Sequence, residues 1–361
     1  MDIEILVNSK EFSDRLKKDM QHARSDIYVQ AMTFEGDKAG KELCAIIESS
    51  RARDKRILID SYIKAIINDR FLYAPKNLFD PELRNEVKET YKLIDHINNN
   101  GIRAKLINPM GPMLVHFAFR NHKKMVLIDD RIAYIGGLNF SDHNYAWHDM
   151  MIRIENPDIA LFLKQDFLST WQGVNRNVKK SFGELDFYIC DGKSNDVMFN
   201  SMFDLIDNAK ESIFIESPYI SFPFYDKLRQ AVNRGVTVNL LTPGNNNKQY
   251  MQKYTYWEAQ RSNINLNLYT GKMSHLKAIL IDDKQLVVGS SNFDCLSYMA
   301  QQEIFVVMRD PEVIEQFKNK ILQPDREQSI PWTGKTSKVI GYFRYLQIKT
   351  ICSLICKFPR N

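Results

Sequence analysis

Apolar residues along this chain recur with two periods, and the order of those periods repeats. Leu16, Met20 and Ala23 are spaced as one helix face, and Ile27-Tyr28-Val29 behind them reads as a strand. Phe203, Ile206 and Ala209 precede Ile213-Phe214-Ile215 in the same way. A second helix and strand follow in each case, ending in Arg56-Ile57-Leu58-Ile59-Asp60 and in Val236-Thr237-Val238-Asn239-Leu240. Further on, Gly101-Ile102-Arg103-Ala104-Lys105-Leu106 parallels Asn263-Ile264-Asn265-Leu266-Asn267-Leu268. Alternating strands and helices predict an α/β fold: two similar α/β/α sandwich halves with mixed sheets. Duplicated units readily pair about a pseudo-two-fold axis, so one shared active site is expected.

The halves differ in length. Ala23 to His122 spans 99 positions, whereas Ala209 to His275 spans 66, so the first half carries an insertion. Part of it reads as a helix, with Asp80 as cap, Pro81 in the first turn and an apolar stripe of Leu83, Val87, Tyr91, Ile94 and Ile97. Such a stripe predicts packing on the core rather than a substrate lid. The expected organisation is a first repeat over residues 1–156 with a helical insertion around 61–99. A helical connector over 157–185, a second repeat over 186–325 and a tail over 326–361 complete it.

The chemistry repeats with the fold. His122-Lys123-Lys124 leads into Met125-Val126-Leu127-Ile128-Asp129, and Gly136-Gly137-Leu138-Asn139 follows. His275-Leu276-Lys277 leads into Ala278-Ile279-Leu280-Ile281-Asp282, followed by Gly289-Ser290-Ser291-Asn292. Both obey His-x-Lys-x4-Asp, with Gly at +14 and Asn at +17 from the histidine. In a strand, His122 and Lys124 would share a face, as would His275 and Lys277. Each half thus offers an imidazole, an ammonium and a carboxamide (His122, Lys124 and Asn139; His275, Lys277 and Asn292). Two Lys and two Asn would hold the nonbridging oxygens of a phosphodiester, and two histidines could divide nucleophile and acid roles. Asp149 follows the first histidine by 27 positions and Glu303 the second by 28; either carboxylate could orient an imidazole.

The twin motif resembles the phospholipase D superfamily over roughly residues 20–325. The segments Arg120-Asn121-His122-Lys123-Lys124 and Ile135-Gly136-Gly137-Leu138-Asn139 are similar to bacterial cardiolipin synthases, as is Trp147-His148-Asp149 with the following Arg153-Ile154-Glu155. That resemblance implies a metal-independent, cofactor-free transfer through a phosphohistidine, with His122 as nucleophile and His275 as general acid. It also implies that Asp129 and Asp282 support the strand-turn rather than touch substrate. The first motif has Gly137 where the second has Ser290, one hydroxyl fewer. The implied activity is a phosphatidyltransferase of cardiolipin-synthase type, acting on phospholipid, with phosphatidylglycerol as the expected acceptor. A phospholipase D-type hydrolase, a metal-independent nuclease and a non-enzymatic lipid-binding scaffold are the alternatives.

Other residues invite weaker readings. His116, His122, His143 and His148 match no zinc spacing, so no metal site is expected. The stretch Met110–Val115 with Phe117 and Phe119 reads as core in preference to an acyl groove. Tyr250, Tyr254, Tyr256 and Trp257 read as a packed helix face in preference to a stacking surface.

Charge sharpens the choice of partner. The chain has 49 Lys and Arg against 44 Asp and Glu, a net +5, and 44% of its residues are hydrophobic, a globular balance. Six basic residues and no acid lie in 335–361, which leaves the rest near neutral. Ile340, Phe343, Ile351, Leu354, Ile355 and Phe358 fall on one helical face, with Lys335, Lys338, Lys349 and Lys357 opposite and Arg344 out of pattern. This predicts an anionic membrane surface as partner, and no nucleic acid. No run of apolar residues is long enough to span a bilayer, although cardiolipin synthases often begin with two such spans. The five cysteines show no metal-type pairing and read as reduced thiols, so a cytoplasmic protein attached to the inner face of the membrane is expected. Cys352 and Cys356 are candidates for acylation.

Overall fold

Among the described residues, each half has nine strands. The computed structural model describes residues 1–355 and divides into two units, Met1–Asn175 and a second that starts at Arg176. Cys356, Lys357, Phe358 and Arg360 of the basic tail lie outside the described residues.

In the first unit the strands are β1 (Asp2–Val7), β2 (Asp26–Ala31), β3 (Asp54–Asp60), β4 (Ile66–Ile67), β5 (Arg70–Phe71), β6 (Arg103–Ile107), β7 (Met125–Ile128), β8 (Ile132–Gly136) and β9 (Met150–Glu155). Seven of them form a sheet of order β1-β9-β8-β7-β2-β3-β6, and β4 and β5 form a separate hairpin. β2, β3 and β6 run parallel, whereas β2 meets β7 antiparallel. Ile27 and Val29 face a core containing Phe12, Leu16, Leu43 and Ile47. Tyr28 points to the other face and stacks on Phe167 at 4.8 Å, from the helix Pro157–Trp171. With helices on both faces β2 is buried throughout, so its apolar run Ile27-Tyr28-Val29 does not alternate with polar residues.

The second unit has β10 (Val178–Phe182), β11 (Leu185–Ile189), β12 (Ser212–Glu216), β13 (Thr237–Pro243), β14 (Asn265–Tyr269), β15 (Ala278–Ile281), β16 (Gln285–Gly289), β17 (Ile304–Met308) and β18 (Ser329–Pro331). Their order is β10-β11-β17-β16-β15-β12-β13-β14-β18. The run β17-β16-β15-β12-β13-β14 reproduces β9-β8-β7-β2-β3-β6, including the parallel and antiparallel choices. Two mixed α/β halves of one topology are therefore present, as the repeated pattern predicts.

The inserted helix, Pro81–Asn99, starts where expected: the Asp80 side chain accepts from Leu83 N at 3.0 Å. It buries Leu83, Leu93, Ile94 and Ile97, so it is a packing helix. The insertion is not helical throughout, because a 3-10 turn (Ser61–Lys64) and the β4–β5 hairpin come first. The connector also needs correction. It is helical only to Trp171; residues 178–182 pair antiparallel with β11, joined through Gly183 at φ 60°, and belong to the second sheet. Ser329–Pro331 likewise pairs with β14, which moves the start of the tail beyond residue 331.

The cysteine reading is overturned for one pair. Cys295 and Cys352 form a disulfide, with Cα atoms 6.2 Å apart and 57 positions between them. Only the return of the helix Lys338–Ile355 to the short helix Cys295–Met299 brings them together, which spacing alone does not reveal. Cys352 is thereby unavailable for acylation, while Cys44 and Cys190 are buried thiols. The terminal helix docks through Gly341, Ile348 and Cys352, and a Cβ at Gly341 would lie 2.0 Å from the Trp257 ring. The apolar face predicted for the tail is left outward: Ile340, Phe343, Ile351 and Leu354 are exposed.

Removing this crosslink by Cys352→Ala should cost about 4 kcal/mol for a loop of this length. Limited proteolysis is then expected to cut the terminal helix first; an unchanged cleavage pattern and melting temperature would contradict that.

Candidate active site

Both motifs sit at the same place in their sheets. His122 and Lys124 lie on the segment that enters β7, and His275 and Lys277 on the segment that enters β15; the strands themselves begin one residue after the lysine. This corrects the expectation that the pair lies within the strand. The lysine instead turns back: Lys124 Nζ donates to the His122 carbonyl at 2.7 Å, and Lys277 Nζ donates to the His275 carbonyl.

At the far end of the same strands, the motif aspartates close a type I′ turn, with Asp129-Asp130 and Asp282-Asp283 all at φ near 50°. The Asp129 carboxylate accepts from the backbone N–H groups of Arg24, Ser25 and Asp26 at 2.7–3.1 Å. Asp282 accepts likewise from Lys210, Glu211 and Ser212 at 2.8–2.9 Å. Burial pushes the Asp282 carboxyl up, but the three N–H donors outweigh it and hold the group below its ordinary range. These aspartates lock the hairpin to the start of the neighbouring strand.

The segment around His122 is held by buried charge. Asp60, fully buried at the end of β3, accepts from Arg120 Nη1 at 2.8 Å and from Asn121 N at 2.6 Å. Arg120 also donates to the Asn108 and His116 carbonyls, both at 2.7 Å. Gln30 Nε2 donates to Asn121 Oδ1 at 2.8 Å, and Lys123 Nζ reaches Asp166 at 2.6 Å and Thr170 at 3.0 Å. Thus both neighbours of His122 are anchored. The second unit does the same with a smaller set: Ser274, just before His275, donates to buried Glu216 at 2.6 Å. Asp60, Asp166 and Glu216 were missed from sequence. Their only signal is a carboxylate in or beside an otherwise apolar element.

The small-residue turns differ in one informative way. A Cβ at Gly137 would lie 2.3 Å from an Asp149 carboxylate oxygen, so the carboxylate occupies the space a side chain there would need. In the second unit Ser290 fills that space and donates its hydroxyl to Glu303, fully buried, which also accepts from Ser297 at 2.7 Å. Gly with Asp and Ser with Glu are two ways to place one carboxylate behind each motif. Asn139 and Asn292 are both buried. Asn139 Oδ1 accepts from Thr33 N at 3.1 Å, whereas Asn292 Oδ1 meets no donor among the described residues.

His148 Nδ1 lies 2.9 Å from Asn8 Oδ1, far along the chain, and His143 Nδ1 lies 3.1 Å from Ser141 Oγ and 3.7 Å from Glu35. Tyr254 and Trp257 are buried, so that cluster is largely a packed face. The stretch read as core is not: Met110 is buried, but Met113, Val115 and Phe117 are exposed.

The chain is similar to known proteins over most of its length. The family described as cardiolipin synthase, PLD-like domain, matches residues 16–171 and 202–323. Cardiolipin synthase 1 of Staphylococcus epidermidis is 25% identical over 362 residues, covering 92% of this chain and 69% of that protein. The major cardiolipin synthase ClsA of Bacillus subtilis is 22% identical over 356 residues, covering 89% and 69%. Among solved structures, phosphatidylserine synthase of Haemophilus influenzae Rd KW20 shares the fold, with TM-score 0.72 at 15% identity over 99% of this chain and 95% of that one.

One further carboxyl lies on the strap that supports Asn139. Glu35 N donates to the Phe140 carbonyl, and the Glu35 side chain lines a cavity of about 280 Å³ with Asn68, Glu86 and His143. Burial pushes its carboxyl up to about 8, opposed by the Asn68 N–H and reinforced by Asp37, Glu86 and Asp69. The group is therefore neutral near pH 7. A raised folded value stabilises fully below the ordinary Glu value of 4.5 and is lost as pH rises through about 8. Thermal melts should show stability declining across that window, and Glu35→Gln should flatten the decline; an equal slope in both proteins would refute this assignment.

Proposed function

The chain belongs to the cardiolipin synthase, PLD-like domain family, and on that premise we propose that it is a phosphatidyltransferase that moves a phosphatidyl group from one phospholipid to an alcohol, with phosphatidylglycerol as acceptor. The observation that carries the reading is the duplication: two buried His-x-Lys segments, each with its Asn and its carboxylate, on hairpins of one topology.

In the proposed reaction the two sets serve one phosphodiester. His122, neutral, attacks phosphorus; the N–P bond forms as the P–O bond to the leaving alcohol breaks, and protonated His275 gives that alkoxide its proton. The acceptor hydroxyl then passes its proton to His275 and its oxygen displaces His122 from phosphorus. Lys124 and Lys277 supply positive charge to the nonbridging oxygens as negative charge develops there. The carboxamide N–H groups of Asn139 and Asn292 would donate to the same oxygens. Asp149 and Glu303 act behind the motifs, and Asp129 and Asp282 keep a supporting role.

The terminal helix is proposed to bind the surface that presents the substrate. Its exposed Ile340, Phe343, Ile351 and Leu354 would enter an anionic bilayer, with Lys335, Lys338 and Lys349 at headgroup level. No described helix is long and apolar enough to cross a membrane. An inner-face, cytoplasmic location was argued from reduced thiols, and the Cys295–Cys352 disulfide withdraws that support. The proposal is therefore limited to peripheral attachment.

Incubation with phosphatidylglycerol should yield cardiolipin and free glycerol, resolved by chromatography. His122→Ala should abolish the product. His275→Ala should slow the first turnover about 10²–10⁴-fold with an alkoxide leaving group, yet keep most of the first-turnover burst of nitrophenol from a nitrophenyl phosphodiester, whose leaving group needs no acid. Equal loss on both substrates would remove His275 from the acid role, and a folded, inactive wild type would overturn the whole reading.

Attachment is tested by charge reversal. Lys338→Glu with Lys349→Glu should weaken sedimentation with anionic vesicles at least about thirtyfold at low salt, since the loss of each lysine alone costs about 1 kcal/mol. Binding that ignores both substitutions and salt would show that the helix is structural alone.

A further inference from the structure

Two loops of the first unit are built the wrong way round for life in water. The first runs from β5 to the helix Pro81–Asn99, over residues 71–79, and the second covers residues 110–119, ahead of His122. Together they contain no acidic residue, one lysine (Lys76) and one histidine (His116). Polar side chains in and beside the first loop brace it. Arg70 bonds Asn77 at 3.1 Å and pairs with Asp80; Asn77 Nδ2 donates to the Phe71 carbonyl at 2.8 Å. Arg84 reaches back to the Leu78 and Leu72 carbonyls at 2.9 and 3.0 Å.

The apolar side chains are the ones that face outward. Phe79 is 90% exposed and Met113 94%, with Tyr73, Val115, Phe71 and Phe117 also at the surface. The loops touch: the Phe71 and Phe117 rings lie 6.3 Å apart, and Phe71 meets Tyr73 at 5.6 Å. Braced loops that turn apolar side chains outward and carry no acid mark a partner that is itself apolar.

We propose that these loops form a second membrane-seating surface, in which Phe79 and Met113 enter the acyl region of the bilayer beside the His122 motif. The proposal rests on the phospholipid-substrate reading and deepens it. A lipid whose phosphate reaches His122 must keep its acyl chains in an apolar phase. The second loop is bolted to the motif, since Arg120 spans from the His116 carbonyl to Asp60 two residues before His122. Absence of acidic side chains suits an anionic lipid surface, where a carboxylate would be repelled and costly to bury. Insertion by apolar side chains also survives salt that screens the terminal helix.

The test uses the full chain with vesicles of phosphatidylcholine and phosphatidylglycerol at high salt. Phe79→Trp and Met113→Trp, made singly, should each give an emission that shifts to the blue on adding vesicles and is quenched by lipids brominated in the acyl chains. Phe79→Ser combined with Met113→Ser should weaken vesicle partition about tenfold while circular dichroism stays unchanged. Tryptophan emission at both positions indifferent to vesicles that the protein binds would overturn the proposal. So would a serine variant with unchanged partition but an altered sedimentation coefficient, which would assign the surface to a second copy of the chain. Turnover of detergent-dispersed phosphatidylglycerol is read separately. Quenching without turnover would leave the seating surface standing and reject the substrate reading, and turnover without quenching would do the reverse.

Discussion

Three adjacent cationic side chains, Arg120, Lys123 and Lys124, are buried around His122, and the first unit is organised by the need to compensate them. A buried ammonium or guanidinium without fixed oxygens costs several kcal/mol. Here Asp60 and carbonyls meet Arg120, Asp166 and Thr170 meet Lys123, and the His122 carbonyl meets Lys124. Those partners come from β3, the loop after β6 and the helix Pro157–Trp171, so the charge compensation ties three separate elements to one short segment. Its consequence is positional: neither neighbour of the histidine can move without exposing or orphaning a charge. The second unit reaches the same end with less charge, through Glu216 and Ser274.

The two halves are therefore similar in plan and different in their solutions. Gly137 with Asp149 and Ser290 with Glu303 exchange side-chain length between two neighbouring strands while keeping a carboxylate behind the motif. The asymmetry extends to the carboxamides, where Asn139 is engaged by Thr33 and the Asn292 oxygen is left for another donor. Such differences fit a reaction in which like groups take unlike roles. They also explain why Gly137 is not a defect of the first motif: its missing side chain is the room Asp149 needs.

The outer parts of the molecule follow a different rule, since they are set by what they face. The terminal helix uses one narrow stripe, Gly341, Ile348 and Cys352, to dock, and the disulfide adds a covalent hold. That leaves its wider apolar face outward. A helical wheel displays both stripes but cannot say which is covered. The same ambiguity governed residues 110–119, where an apolar run looked like core and proved to be a surface. Hydrophobicity reports that a side chain avoids water, not what it meets instead.

The repeated α/β pattern, the twin motifs and the capped helix at Pro81 were legible in sequence because each is local. Periodicity is imposed by backbone geometry within a few residues, and the motif spacing reflects one strand and one turn. The role of Asp129 and Asp282 was legible through resemblance, and the three backbone donors give it a cause. What depended on tertiary structure was every partner distant along the chain. Asp60 with Arg120, Lys123 with Asp166, Glu216 with Ser274 and Cys295 with Cys352 are separated by 43–60 positions, and no local rule pairs them. Sequence by itself determined the plan of the halves and the chemical groups they carry. Only folding decided which buried charges meet and which apolar faces remain uncovered, because desolvation and packing depend on neighbours that chain order does not specify.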